Sequence, residues 1–74
     1  MSTVMLPQSR VTENCDHYFF PEFLSWMREN VGVPGEDWCY MRPDFLPGRS
    51  VSVEVIEIRN EDHAVLTKLT WGGL

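Results

Sequence analysis

Residues 49–71 read RSVSVEVIEIRNEDHAVLTKLTW, and the way this stretch divides decides the fold. Val51, Val53 and Val55 alternate with Ser52 and Glu54, and Ile56 and Ile58 follow. After Asn60-Glu61-Asp62 the alternation resumes with Val65, Thr67, Leu69 and Trp71. Period-two alternation marks half-buried strands, and a short polar break between two such runs marks a hairpin. A slip of one residue would send every side chain to the other face, so the register can be read from the pairs it makes. A three-residue loop sets Val51 against Trp71, Val53 against Leu69 and Val55 against Thr67. On the reverse face it sets Glu54 against Lys68 and Ser52 against Thr70, each match worth roughly 0.2–1 kcal/mol. A two-residue loop would oppose Glu54 to Leu69 and Ser52 to Trp71, which is the poorer arrangement. The preferred register also gathers Ile56, Ile58, Ala64 and Leu66 beside the turn, leaving that end of the hairpin apolar on both sides.

Working back towards the N-terminus, Phe20, Phe23, Leu24, Met27 and Val31 recur at three- and four-residue spacing and predict a helix over residues 21–31. Pro21 suits the first helical turn, Glu22 sits at the positive end of the dipole, and Gly32 with Pro34 provides the stop. Residues 38–41 read as a short strand. Pro43, Pro47 and Gly48 then predict an irregular connection in which Asp44-Phe45-Leu46 is no strand and Phe45 and Leu46 cover the core from a loop. Residues 9–17 read as a polar loop. Residues 1–8 and 72–74 read as loose ends, with an edge strand over residues 3–6 as the alternative for the first.

The expected architecture is a single α+β domain over residues 1–74, with one helix packed on a three- to four-stranded antiparallel sheet that contains the C-terminal β-hairpin. The helix would lie on Val51, Val53, Val55, Leu69 and Trp71. One helix covers one face of a sheet, so Ile56, Ile58, Ala64 and Leu66 need a cover of their own. The N-terminal segment or a second copy of the chain, as a homodimer, would supply it.

Seventy-four residues with 43% hydrophobic content and three Trp, two Tyr and four Phe suffice for a small core. A domain of this size buries only about 60% of the surface its unfolded chain exposes, so its stability margin is narrow. The net charge of −5 is spread along the chain without a basic cluster, which argues against direct nucleic-acid binding and against an anionic membrane surface. No apolar run approaches the roughly 18 residues of a bilayer span, and residues 1–8 lack the pattern of a secretory signal, so a cytoplasmic location is the expectation.

Two Cys and two His, namely Cys15, His17, Cys39 and His63, make up the count of a structural zinc site. Their spacing is poor, since only Cys15 and His17 are close. A metal site or a small enzyme subunit built on them is therefore an alternative rather than the main reading. Cys15-Asp16-His17 has the residue types of nucleophilic catalysis, yet neighbours in sequence rarely face one another and no glycine-rich elbow accompanies them. There is no phosphate-binding glycine loop, and no cofactor is expected.

These exclusions leave surface recognition. The sequence predicts a small, acidic, non-enzymatic protein-binding or regulatory protein that uses its hairpin surface, with Ile56, Ile58 and Leu66 as the apolar patch beside Glu54, Glu57, Glu61 and Asp62. The alternative use of the same carboxylates is to imitate nucleic acid and block the basic groove of a nucleic-acid enzyme. Salt would separate the two, because apolar docking survives screening and mimicry does not.

Overall fold

The computed structural model describes residues 2–13, 18–48 and 50–72, and it places Val51–Ile58 in the middle of a three-stranded antiparallel sheet. The elements in chain order are β1 (Ser2–Pro7), α1 (Gln8–Val11), β2 (Thr12–Glu13), β3 (Tyr18–Phe19), α2 (Pro21–Asn30), β4 (Trp38–Leu46), β5 (Val51–Ile58) and α3 (Glu61–Thr67). A π-helical turn, Lys68–Gly72, continues α3. The sheet order is β1-β5-β4, and β2 pairs with β3 as a separate two-stranded ribbon. Among the described residues three helices, rather than one, pack on the sheet, and the expected C-terminal hairpin is absent.

The hairpin fails at its second strand. The Asn60 side-chain oxygen accepts from the N–H groups of Asp62 at 2.8 Å and His63 at 3.2 Å, capping a helix where a turn was expected. Glu61 and Asp62 then occupy the first turn, where the helix dipole favours negative charge. The helical spacing turns Ala64 and Thr67 into the core, with Trp71 packing partly buried one turn on. The alternation of Val65, Thr67, Leu69 and Trp71 is thus carried by a helix that buries only some of its members.

With that strand gone, β5 finds its partners elsewhere. β1 lies against it with Val4 opposite Ile56 and Leu6 opposite Glu54, so the edge strand offered for residues 3–6 forms and spans Ser2–Pro7. β4 lies on the other side, with Trp38 opposite Ile58 and Tyr40 opposite Ile56. It runs on through Pro43 to Leu46, past a register shift between Tyr40 and Arg42, where the sequence pattern predicted a loop. An edge strand tolerates a proline and a bulge, because a ladder is needed on one side only, and both features discourage further strands from pairing there.

The core forms on the opposite face of β5 from the one expected. Ile56 and Ile58 join Val4, Leu6 and Trp38 from the sheet, Phe23, Met27 and Val31 from α2 and its end, Val11 from α1 and Ala64 from α3 in one buried cluster. Phe23 is its hub, stacked on Phe19 at 5.1 Å and edge-on to Trp71 at 5.2 Å and to Trp38 at 6.3 Å. Val53 and Val55, one residue out of step, are fully buried but lie outside that cluster.

α2 spans Pro21–Asn30, close to the expected range, and ends as Val31 and Gly32 both donate to the Met27 carbonyl at 2.8 Å. Gly32 has φ +136°, and a Cβ there would overlap the Asp37 carboxylate, which itself accepts from the Val33 N–H at 2.6 Å. Gly32→Ala should therefore cost the roughly 1–3 kcal/mol of a strained backbone position and more for the displaced Asp37. Gly35→Ala, at φ +89° with nothing within 4 Å of its Cβ, should cost less. Urea unfolding of both variants checks this; equal losses would remove the Asp37 contact from the argument.

Candidate functional site

Ile56 and Ile58, expected at the centre of an exposed apolar patch, are fully buried and are not available to a partner. Their cover is intramolecular: β1 closes one side of β5, and α2 and α3 contribute Phe23, Met27 and Ala64 to the cluster around them. Leu66 remains on the surface at 42% exposure, but on a helix and in different company.

The company consists of Val65 at 54% and Leu69 at 78% exposure. Positions 65 and 66 stand four and three residues before position 69, so all three lie on the side of the helix opposite Ala64 and Thr67. Three large aliphatic side chains on one outward stripe form the most exposed apolar feature of the C-terminal helix. Single exposed leucines are ordinary, and three aliphatic side chains on one helix face make this stripe the candidate site. At its N-terminal end stand the exposed carboxylates Glu61 and Asp62. The inner face packs into the fold: Ala64 joins the buried cluster, Thr67 is fully buried, and the helix lies along β1.

The four carboxylates singled out in the sequence do not share a surface. Glu61 and Asp62 are exposed in the first turn of α3, Glu57 is half-buried on β5, and Glu54 is fully buried. Glu54 was expected to pair with Lys68, which instead stands exposed on the C-terminal helix. The partners of Glu54 are the Gln8 side-chain amide, which donates at 2.8 Å, and the Tyr40 hydroxyl. A buried carboxylate is costly unless hydrogen-bonded, and these two donors offset that cost.

The same arrangement perturbs Tyr40. Burial, the hydrogen bond to Glu54 and the adjacent carboxylate charge together push its phenol from 10.0 up to about 12. The folded state therefore retains a proton that the unfolded state has lost, so this contribution to stability is full below pH 10 and disappears as pH rises through about 12. A fall in melting temperature across that window, accompanied by late tyrosinate absorbance that Tyr40→Phe abolishes, is the expected result. Because Tyr40 is 39% exposed, solvent screening will keep the fall modest.

Of the proposed metal set, Cys15 and His17 lie outside the described residues. Cys39 is an exposed free thiol on β4, opposite Glu57, and His63 is half-buried in the first turn of α3. Among the described residues no group of three or more His, Cys, Asp or Glu is placed to hold a metal ion. No helix of the described residues is long and apolar enough to cross a membrane.

Val65 and Leu69 escaped the sequence reading because strand alternation assigned both to the inward face. The signal that would have found them is the cap itself, Asn60 followed by two acidic residues, which places α3 and its outward stripe together. In comparisons with known proteins, the chain matches no family model, no curated protein and no solved structure.

Proposed function

We propose that the chain is a small, acidic, non-enzymatic binding or regulatory domain of the cytoplasm, which docks on a partner protein through the outward face of its C-terminal helix. The observation that carries the reading is the exposed stripe Val65, Leu66 and Leu69 on a helix whose other face is locked into the core. A helix laid into a groove reads as anchors at three- and four-residue spacing, which is the spacing here. Glu61 and Asp62 at one end, on a chain of net charge −5, call for basic side chains on the partner at that end of the groove. The occupant is thus an aliphatic groove with a basic rim. The apolar anchors supply most of the affinity, and the carboxylates supply orientation and encounter rate.

The test is capture from the native cells by a tagged chain at low and high salt, alongside a Leu66→Asp, Leu69→Asp double variant. Both positions face solvent, so circular dichroism should be unchanged. The expected result is a partner retained at high salt and lost in the double variant, which on purification binds the wild type at least tenfold more tightly than the variant. A partner that the variant retains would overturn the reading, and recovery of the chain alone would replace the groove with a second copy.

A further inference from the structure

On the side of the molecule where α1 meets the start of β5, a cleft of about 540 Å3 opens between Gln8, Ser9, Thr12, Phe20, Ser50 and Ser52. That volume falls within the roughly 300–1,000 Å3 of clefts that take small molecules. Its described lining carries four hydroxyls, one amide and one aromatic ring, and no charged side chain. The backbone beneath both the ring and the amide is tied into the fold. Phe20 is half-buried and its backbone N–H donates to the Val11 carbonyl at 2.8 Å, while the Thr12 hydroxyl donates to the Gln8 carbonyl at 2.6 Å.

The amide is oriented by what lies behind it. Gln8 donates its Nε2 to the buried Glu54 carboxylate, whose oxygens accept, so the Gln8 Oε1 must point away from Glu54. Gln8 also lines the cleft, and its amide cannot flip without giving up the bond to Glu54. Ser9 and Ser52 are exposed hydroxyls able to donate or accept. Ser50, at φ 54°, is the one non-glycine residue with positive φ among those described, and it stands at the cleft's edge. A fixed amide, adaptable hydroxyls, an aromatic wall and no charged side chain among the described lining suit a ligand that carries several O–H or N–H donors on an uncharged ring.

We propose that this cleft is a binding site for a neutral hydroxylated ring of the monosaccharide class, with Gln8 accepting from the ligand, Ser9 and Ser52 bonding its hydroxyls and Phe20 covering its C–H face. This is independent of the docking stripe. The test is a titration of the full chain with N-acetyl-D-glucosamine, followed by nitrogen–proton correlation spectra, with D-glucose 6-phosphate as the charged comparison. A Ser9→Ala, Ser52→Ala double variant changes two exposed side chains and should fold normally. Saturable shifts confined to residues 8–12, 20 and 50–52, with millimolar affinity weakened about tenfold in the double variant, are expected; tenfold is the worth of one or two hydrogen bonds. The phosphorylated sugar should bind several-fold more weakly. Absence of saturable shifts, shifts that the double variant leaves unchanged, or equal or tighter binding of the phosphorylated sugar would each overturn the proposal.

Discussion

Phe23→Ala is expected to remove about 3–5 kcal/mol of stability, the usual cost of deleting a buried aromatic ring. A domain of this length holds only roughly 4–11 kcal/mol in all, so the variant should be largely or partly unfolded at ambient temperature. The size of the effect follows from position. Phe23 is fully buried and its ring touches those of Phe19, Trp38 and Trp71, which come from β3, β4 and the C-terminal turn. Removing it therefore loosens α2 from three elements at once. Leu24, its neighbour on the same helix, is 38% exposed, and Leu24→Ala should cost less than about 1 kcal/mol. Urea unfolding followed by circular dichroism measures both. Comparable losses at positions 23 and 24 would mean that a different face of α2 meets the sheet.

Glu54→Ala carries the second large effect, about 2–4 kcal/mol, because it removes a fully buried side chain, takes the acceptor from Gln8 and Tyr40 and opens a gap beside Leu6. Glu54→Gln keeps an acceptor for Gln8 and should cost nearer 1 kcal/mol. Lys68→Ala, an exposed change, should stay within about 0.5 kcal/mol. The comparison discriminates between two pairings of the same carboxylate. If Lys68→Ala were as costly as Glu54→Ala, and the double variant no worse than either, Glu54 and Lys68 would face one another across a hairpin.

The strand over residues 51–58 and the helix starting at Pro21 were legible because each combines a clear period with local punctuation. Residues 61–71 were not, because two signals conflict there. Val65, Thr67, Leu69 and Trp71 keep strand alternation, while Asn60-Glu61-Asp62 is a helix start that also passes for a hairpin loop. Tertiary packing decides for the helix, since Ala64 then joins the core cluster and Thr67 and Trp71 meet Met27 and Trp26 of α2. From this one error the face of β5 was also inverted. With Lys68 assumed opposite, Glu54 belonged outside and Val53 and Val55 inside towards the helix. In the fold, Glu54 lies on the Ile56 and Ile58 side, hydrogen-bonded by Gln8 and Tyr40, which are far away in sequence and have no local signature.

The candidate site shared that fate. A patch built on Ile56 and Ile58 required that the N-terminal segment, one of the two covers expected for them, stay away, whereas β1, α2 and α3 all contribute to burying them. Leu66 kept its exposure by chance of geometry, and Val65 and Leu69 joined it only once the segment turned helical. Pro43 misled in another way: it argues against a central strand, and β4 is an edge strand, where the rule does not apply. The cleft beside Gln8 could not have been read from sequence, because Gln8 and Ser52 are brought together only by the pairing of β1 with β5.

The docking stripe, the inverted face of β5 and the partners of Glu54 all depend on the state of residues 61–72. Backbone carbon chemical shifts of that segment, together with nuclear Overhauser contacts from its side chains, measure this directly. The account predicts helical shifts from Glu61 onward, a contact between Thr67 and Met27, and none between Val53 and Leu69. Extended shifts over residues 63–71 with cross-strand contacts from Val53 to Leu69 would contradict it.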